Sequence, residues 1–280
     1  MQDTIVTIYC LCDDLLKAMH YKDDRQTHFS SAEVMCVPVI ACACFGGNIA
    51  RTRAFLHSHG YFKVHLSASR FSRRLAALPA GVWHTLFQLL GEVFKQHNSE
   101  GAYEGAYEVA SFPVPVCHNI RINRCKLFPK QHKESFRGYC ASKKSYFFGF
   151  KVQLLITAQG QPVEFVLTPG SMADQTGFGF LELDLPCGSI IHADKGYNDY
   201  GEEDLLREAG EILLQPLRKS NSKRGRPAWV EFVSKPVRQR VETAISQITG
   251  LFPKHIHAVT QRGLELKLTC FVLAFAISCL

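Results

Sequence analysis

The chain has 280 residues, 46% hydrophobic and 20% charged, which is ordinary for a soluble globular protein and enough for one large domain or two modest ones. Asp3, Asp13 and Asp14 stand where a secretory signal needs positive charge, and the apolar run 268–280 is 13 residues against the roughly 20 of a membrane-spanning helix. No membrane partner and a cytoplasmic location are therefore expected.

The net charge of +7 is uneven: residues 116–145 and residues 216–240 each carry +7, so the remainder is −7. Two basic stretches on an otherwise acidic chain point to a polyanion, nucleic acid first, or to two solvated basic loops. Eleven cysteines is an odd count without framework spacing, so reduced thiols are expected. Cys117, His118, Cys125, His132 and Cys140 cluster, but their gaps fit no zinc pattern.

Residues 1–100 read as an all-helical N-terminal domain. Ile5, Ile8, Tyr9, Cys12, Leu15 and Met19 form an apolar stripe at helical spacing. Ser30 and Glu33 have the spacing of a capping box, opening a second helix that is interrupted near Pro38 and ends by Gly46 and Gly47. Asn48 caps a third helix ending at Gly60, and Ser69 a short fourth with Arg70, Arg73 and Arg74. Pro79 suits the first turn of a fifth, whose Val82, Phe87, Leu90 and Phe94 face a core. Small helices with interspersed arginines are compatible with a helix-turn-helix-like DNA-binding module and equally with a plain packing domain.

Glu100-Gly-Ala-Tyr103 then repeats at once as Glu104-Gly-Ala-Tyr107. Four residues are too few for a structural repeat, and either a local duplication or an engineered change would produce this one.

From about residue 105 to 280 the pattern is that of an α/β domain. A strand is predicted over 109–114. After the first basic loop, Phe148, Phe150, Val152, Leu154 and Ile156 alternate with their neighbours, and Val163, Phe165 and Leu167 do so after a Gly-Pro turn, making a hairpin. Asp174 falls in the first turn of the next helix. Residues 189–193 form a short buried strand running into Asp194, followed by a helix over 201–209 and a strand over 212–215. Val237, Val241, Ala244, Ile245 and Ile248 give a final stripe.

DNA phosphoryl transfer uses two divalent cations held by carboxylates that converge from separate elements. Asp194 is a candidate because ligand sites in open α/β sheets form at the C-terminal ends of strands. Glu242 lies on a helix otherwise built for burial and is either a metal ligand or an ion-pair partner of Arg238.

Five segments occur in a recurring order: residues 110–119, 146–151, 167–170, 192–197 and 240–242. Together they resemble the DDE transposases of the insertion-sequence 982 family of bacteria. Each segment alone is weak, and the resemblance, strongest over 105–250, lies in their order. It implies a ribonuclease-H-like mixed sheet flanked by helices, Mg2+ (or Mn2+) dependence, binding of double-stranded DNA at terminal inverted repeats and target, and strand cleavage followed by transfer. A homodimer or higher assembly on DNA and a nucleoid-associated location go with it.

Carried over by position, Asp194 matches the second acidic residue of that family and Glu242 the third, both as metal ligands. The first position, an aspartate in the family, is Ala110 here. A methyl group binds no metal, so DNA binding without efficient cleavage is expected. The arginine-to-glutamate spacing of related transposases is met by Arg238 and Glu242, whereas Lys235 and Thr249 replace the accompanying tyrosine and lysine. Glu108 shares a strand face with Ala110 but is nearly 7 Å back along the strand, a poor substitute.

The resemblance gives both basic stretches a role. Arg121, Arg124, Lys126, Lys143, Lys144, Lys195, Arg218, Lys223, Arg224, Arg226 and Arg238 are the candidate DNA contacts. Alternatives are a catalytically inactive DNA-binding derivative and a related ribonuclease-H-like nuclease without strand transfer.

Overall fold

The computed structural model describes residues 1–79, 81–98, 105–141, 143–218, 222–225 and 228–280, and the side chains of 228–238 lie outside that description. Arg226, the Arg238 side chain and residues 100–104 of the tetrapeptide repeat therefore lie outside the described residues. The elements are α1 (Gln2–Ala18), α2 (Ser31–Cys44), α3 (Ile49–Ser58), α4 (Ala68–Ala77), α5 (Val82–His97), β1 (Ala106–Cys117), β2 (Arg137–Cys140), β3 (Ser145–Thr157), β4 (Pro162–Pro169), α6 (Asp174–Phe178), β5 (Ile190–Ala193), α7 (Tyr200–Gly210), β6 (Leu213–Pro216), α8 (Ala228–Gly250) and α9 (Gln261–Ser278). They fall into two compact units.

The first unit holds Met1–Leu90, Gln247–Ala258 and Arg262–Leu280. On α1 the stripe residues Ile5, Ile8, Cys12 and Leu15 are buried, while Met19, just past the helix end, is exposed. The capping box of α2 is formed: Glu33 N donates to Ser30 Oγ at 3.1 Å and Ser30 N to Glu33 Oε2 at 2.5 Å. Pro38 does not interrupt this helix. An interior proline removes one N–H and costs about 3 kcal/mol or more, but Val34, Met35, Val37, Val39 and Ile40 around it are fully buried, and their packing offsets the loss. The cap of α4 is Ser67 rather than Ser69, and Pro79 precedes α5 instead of lying in its first turn.

The C-terminal helix belongs to this unit rather than to the sheet that precedes it in sequence. α9 is buried from Cys270 through Ile277, and Cys42 Sγ donates to Lys267 O across 225 residues of chain. Among the described residues no single helix is long and apolar enough to cross a membrane; α2 and α3 meet that criterion only as a pair bent by 106°.

The second unit, Gly91–Ser246 with Val259–Gln261, contains a six-stranded mixed sheet accompanied by helices. Its order is β2-β3-β1-β5-β6, with β4 also on β3. β3 pairs antiparallel with both β1 and β4, as the alternating pattern predicts. β5 is parallel to both β1 and β6, with α7 supplying the crossover between β5 and β6. Gly149 allows β3 to press on β1, since a Cβ there would come 2.1 Å from Val114 O.

The first basic stretch carries more structure than a bare loop. It contains two 3-10 helices, Asn119–Arg124 and Lys130–Phe136, and then β2 paired with the start of β3. Phe128 and Phe136 stack at 3.6 Å and meet Phe150 edge-on, pinning the segment to the sheet by its apolar residues.

Candidate active site

Parallel pairing decides what meets at the end of β5. The register runs from Ala106 opposite Ile190 to Val109 opposite Ala193. One step further along each strand stand Ala110 and Asp194. Both line a pocket of ≈ 240 Å³, together with Ser111, Lys151, Asp174 and Tyr197. Asp194 is exposed and accepts a hydrogen bond from Lys195 N at 2.7 Å, capping the turn Lys195–Tyr197 that follows β5. Tyr139, Cys140 and Ala141 of the β2 segment and Phe147 of β3 contribute a further wall.

Asp174 is the residue that sequence reasoning left without a role. Its Oδ1 accepts from Ser111 Oγ at 2.7 Å, Lys151 Nζ at 3.0 Å and Gln153 Nε2 at 3.3 Å. Lys151 Nζ also donates to Met172 O at 2.7 Å, and Tyr197 OH donates to Gln153 Oε1 at 2.6 Å. The network ties β1, β3 and α6 to the turn that bears Asp194. Burial pushes the Tyr197 phenol well above its usual pKa, and the charges of Asp174 and Asp194 push in the same direction. Gly196 packs beside Asp174, where a Cβ would sit 3.3 Å from Oδ2. The sequence signal for this group was a lysine and a glutamine on the otherwise apolar β3.

The other candidates fall elsewhere. Glu242 is exposed on α8 and is not among the residues lining the pocket. Glu108 is 2% exposed, opposite His192 in the β1–β5 register, and does not line the pocket either. Among the described residues no three His, Cys, Asp or Glu side chains come together as a metal site. With a methyl at position 110 and Asp174 bound to Lys151, the donors lining the pocket do not fit a two-cation centre.

Of the candidate DNA contacts, Arg121, Arg124, Lys126, Lys143, Lys144, Lys195 and Lys223 are exposed. Lys143 and Lys144 sit between β2 and β3, whose residues wall the pocket. Arg218 is not available in this way. Its guanidinium makes a bidentate pair with the buried Glu203 at 2.5 and 2.7 Å and a bond to Asn198 Oδ1 at 3.1 Å. Arg224 pairs with Asp204 at 2.7 and 2.9 Å, and its guanidinium lies 4.8 Å from the Tyr200 ring.

The family described as Transposase DDE domain matches residues 100–252 of the chain. No match was found among curated proteins or among solved structures.

Proposed function

The chain belongs to the transposase DDE-domain family, and from that premise we propose that it is a bacterial insertion-sequence transposase of the 982 family whose cleavage and strand-transfer chemistry is impaired at Ala110. The family binds DNA and generally uses divalent metal ions. In this reading the second unit is a ribonuclease-H-like catalytic domain. An antiparallel meander joined to a parallel pair, with a carboxylate at the parallel strand's end, supports that assignment. Asp194 is the second acidic residue; Glu242, which does not line the pocket, is the third by motif order alone.

One observation carries the proposal: Ala110 and Asp194 stand side by side past the last register pair and line the same pocket. That is where two carboxylates from adjacent strands would share a cation. Alanine supplies neither a ligand nor a negative charge there. Exposed Arg121, Arg124, Lys126, Lys143, Lys144, Lys195 and Lys223 would hold DNA phosphates, at the terminal repeats and target, through counterion release. Processing two ends calls for at least two protomers.

The test is gain of function. The chain as it stands is expected to bind terminal-repeat duplex with steep salt dependence and to leave it uncut in Mg2+ or Mn2+. Ala110→Asp restores metal-dependent nicking, and Asp194→Asn in that background removes it again. Measurable metal-dependent cleavage by the unsubstituted protein would overturn the impairment. Assaying strand joining separately from cleavage distinguishes a transposase from a nuclease.

A further inference from the structure

A second concavity lies in the first unit, remote in sequence from the residues that line the Ala110–Asp194 pocket. It measures ≈ 520 Å³, within the range of roughly 300–1,000 Å³ typical of small-ligand sites. Phe29, Val64 and Leu66 line it, and Arg70, Arg73 and Arg74 of α4 stand with them.

The arginines share one face of α4 because they are three and four residues apart, while Phe71 is buried beside that face. Arg74 is already engaged: its Nη2 lies 3.0 Å from Asp23 Oδ1 and 3.2 Å from Ser31 Oγ. Asp23 is further held by Ser31 N at 2.7 Å and Ser31 Oγ at 2.6 Å, so this acid braces the start of α2. Arg70 and Arg73 are different. Both are exposed, and their side chains make no hydrogen bond or ion pair among the described residues. Two exposed guanidinium groups lining one cavity can hold an anion between them, and their forked donors match phosphate oxygens.

Phosphate contact alone does not explain the cavity. A duplex backbone is held by cations on an open surface, with no need of an apolar recess. Val64 and Leu66 are only half-buried, so apolar surface remains open beside the arginines. The ligand these features fit carries a phosphate on one end and a flat or apolar body on the other.

We propose that this cavity binds a single unpaired nucleotide, its phosphate on Arg70 and Arg73 and its base against Val64 and Leu66. Assigning that nucleotide to a DNA strand rests on the DNA-binding reading above. The site would then separate frayed or tailed DNA ends from intact duplex, a discrimination that the basic stretches of the second unit cannot make.

Two sets of probes test this on the full chain. Calorimetry compares thymidine 5′-monophosphate, thymidine and inorganic phosphate. Fluorescence anisotropy compares a DNA hairpin bearing three unpaired nucleotides with the same hairpin blunt-ended. The monophosphate should bind at least about tenfold more tightly than either fragment, and the tailed hairpin about tenfold more tightly than the blunt one. Arg70→Gln with Arg73→Gln should abolish both preferences and leave blunt-duplex affinity within about twofold. Val64→Glu, which puts an anion on the cavity wall while keeping the arginines, should do the same. Circular dichroism checks that each variant is folded.

Phosphate binding as tightly as the monophosphate would reduce the cavity to an anion site and overturn the proposal. So would a protein that binds tailed and blunt DNA alike, or variants that keep the preference. Absence of any DNA binding, with preference for the monophosphate retained, would instead overturn the DNA reading and leave the nucleotide site standing.

Discussion

Residues 116–145 and 216–240 carry the same net charge of +7, yet among the described residues the fold treats Arg218 and Arg224 of the second differently from most cations of the first. The first stretch is anchored by aromatic residues, Phe128 and Phe136 against β3. Arg121, Arg124, Lys126, Lys130, Lys143 and Lys144 are left facing solvent, while Lys133 donates to Ile122 O and Asn123 O and Arg137 pairs with Glu134. In the second, Arg218 and Arg224 turn back onto Glu203 and Asp204 of α7, and both guanidinium groups lie against Tyr200. Charge counted along a sequence thus measures supply, not availability. What decides is whether the segment is held down by its apolar residues or by the charges themselves.

The sharpest way to break this contrast is at Arg218. Its side chain is 10% exposed and that of Glu203 is 2% exposed, so removing the arginine takes both short bonds from a buried carboxylate and leaves it only Arg224 Nη1 at 3.6 Å. Arg218→Ala should destabilise the second unit by about 3–5 kcal/mol, read by denaturant unfolding. The paired replacement Glu203→Leu with Arg218→Met should recover most of that, because the penalty comes from the orphaned charge. A loss below about 1 kcal/mol for Arg218→Ala would mean the pair is ordinary surface electrostatics.

Glu164 on β4 shows what happens to a buried acid without such an arginine. It is 5% exposed, and burial pushes its pKa up from 4.5 to about 7. Lys95 opposes the shift, while Glu182, Asp184 and Glu92 add to it; Lys95 itself bonds Glu92 at 2.7 Å. A folded-state pKa above the unfolded one means the native state holds the proton more tightly. The resulting stability is fully present below about pH 4.5 and is lost as pH rises to about 7, amounting to about 3 kcal/mol. Glu164→Gln should remove that slope, and identical pH profiles for the two proteins would show that Glu164 titrates normally.

The sequence disclosed much that depends on near neighbours, although the α4 cap is Ser67 rather than Ser69. The Ser30–Glu33 capping box, the Asn48 cap and the β3–β4 hairpin all form as their local pattern requires. Ala110 and Asp194 were singled out by motif order, and parallel pairing across 84 residues brings them to one pocket. Other features depend on distant contacts that carry no local signal. Pro38 looked like a helix break because its cost is local while the compensating burial is tertiary. The last helix was separated from the N-terminal ones by the whole sheet region, so nothing near 261–278 announced its partners. Asp174 looked like a helix-start residue, and only the meeting of β1, β3 and α6 makes it the hub of the pocket. Arg218 read as a DNA contact because Glu203, 15 residues earlier, sits on another element.

The mildest substitutions give the cleanest comparison of the two stretches. Replacing Arg121, Arg124 and Lys126 together by glutamine should leave the unfolding midpoint unchanged, since all three are exposed. If each meets a phosphate, terminal-repeat affinity should fall by tenfold or more at moderate salt, and the slope of log affinity against log salt should drop by about 3. Arg224→Gln should cost far less than Arg218→Ala, because the Arg224 pair with Asp204 is partly exposed and Glu203, 3.6 Å away, keeps both short bonds from Arg218. Its effect on the salt slope should nevertheless be smaller than that of any one residue in the first stretch, because Asp204 already neutralises it. Equal slope changes per residue in both stretches would show that DNA pulls Arg224 away from its partner. Availability would then be decided on binding rather than in the free protein.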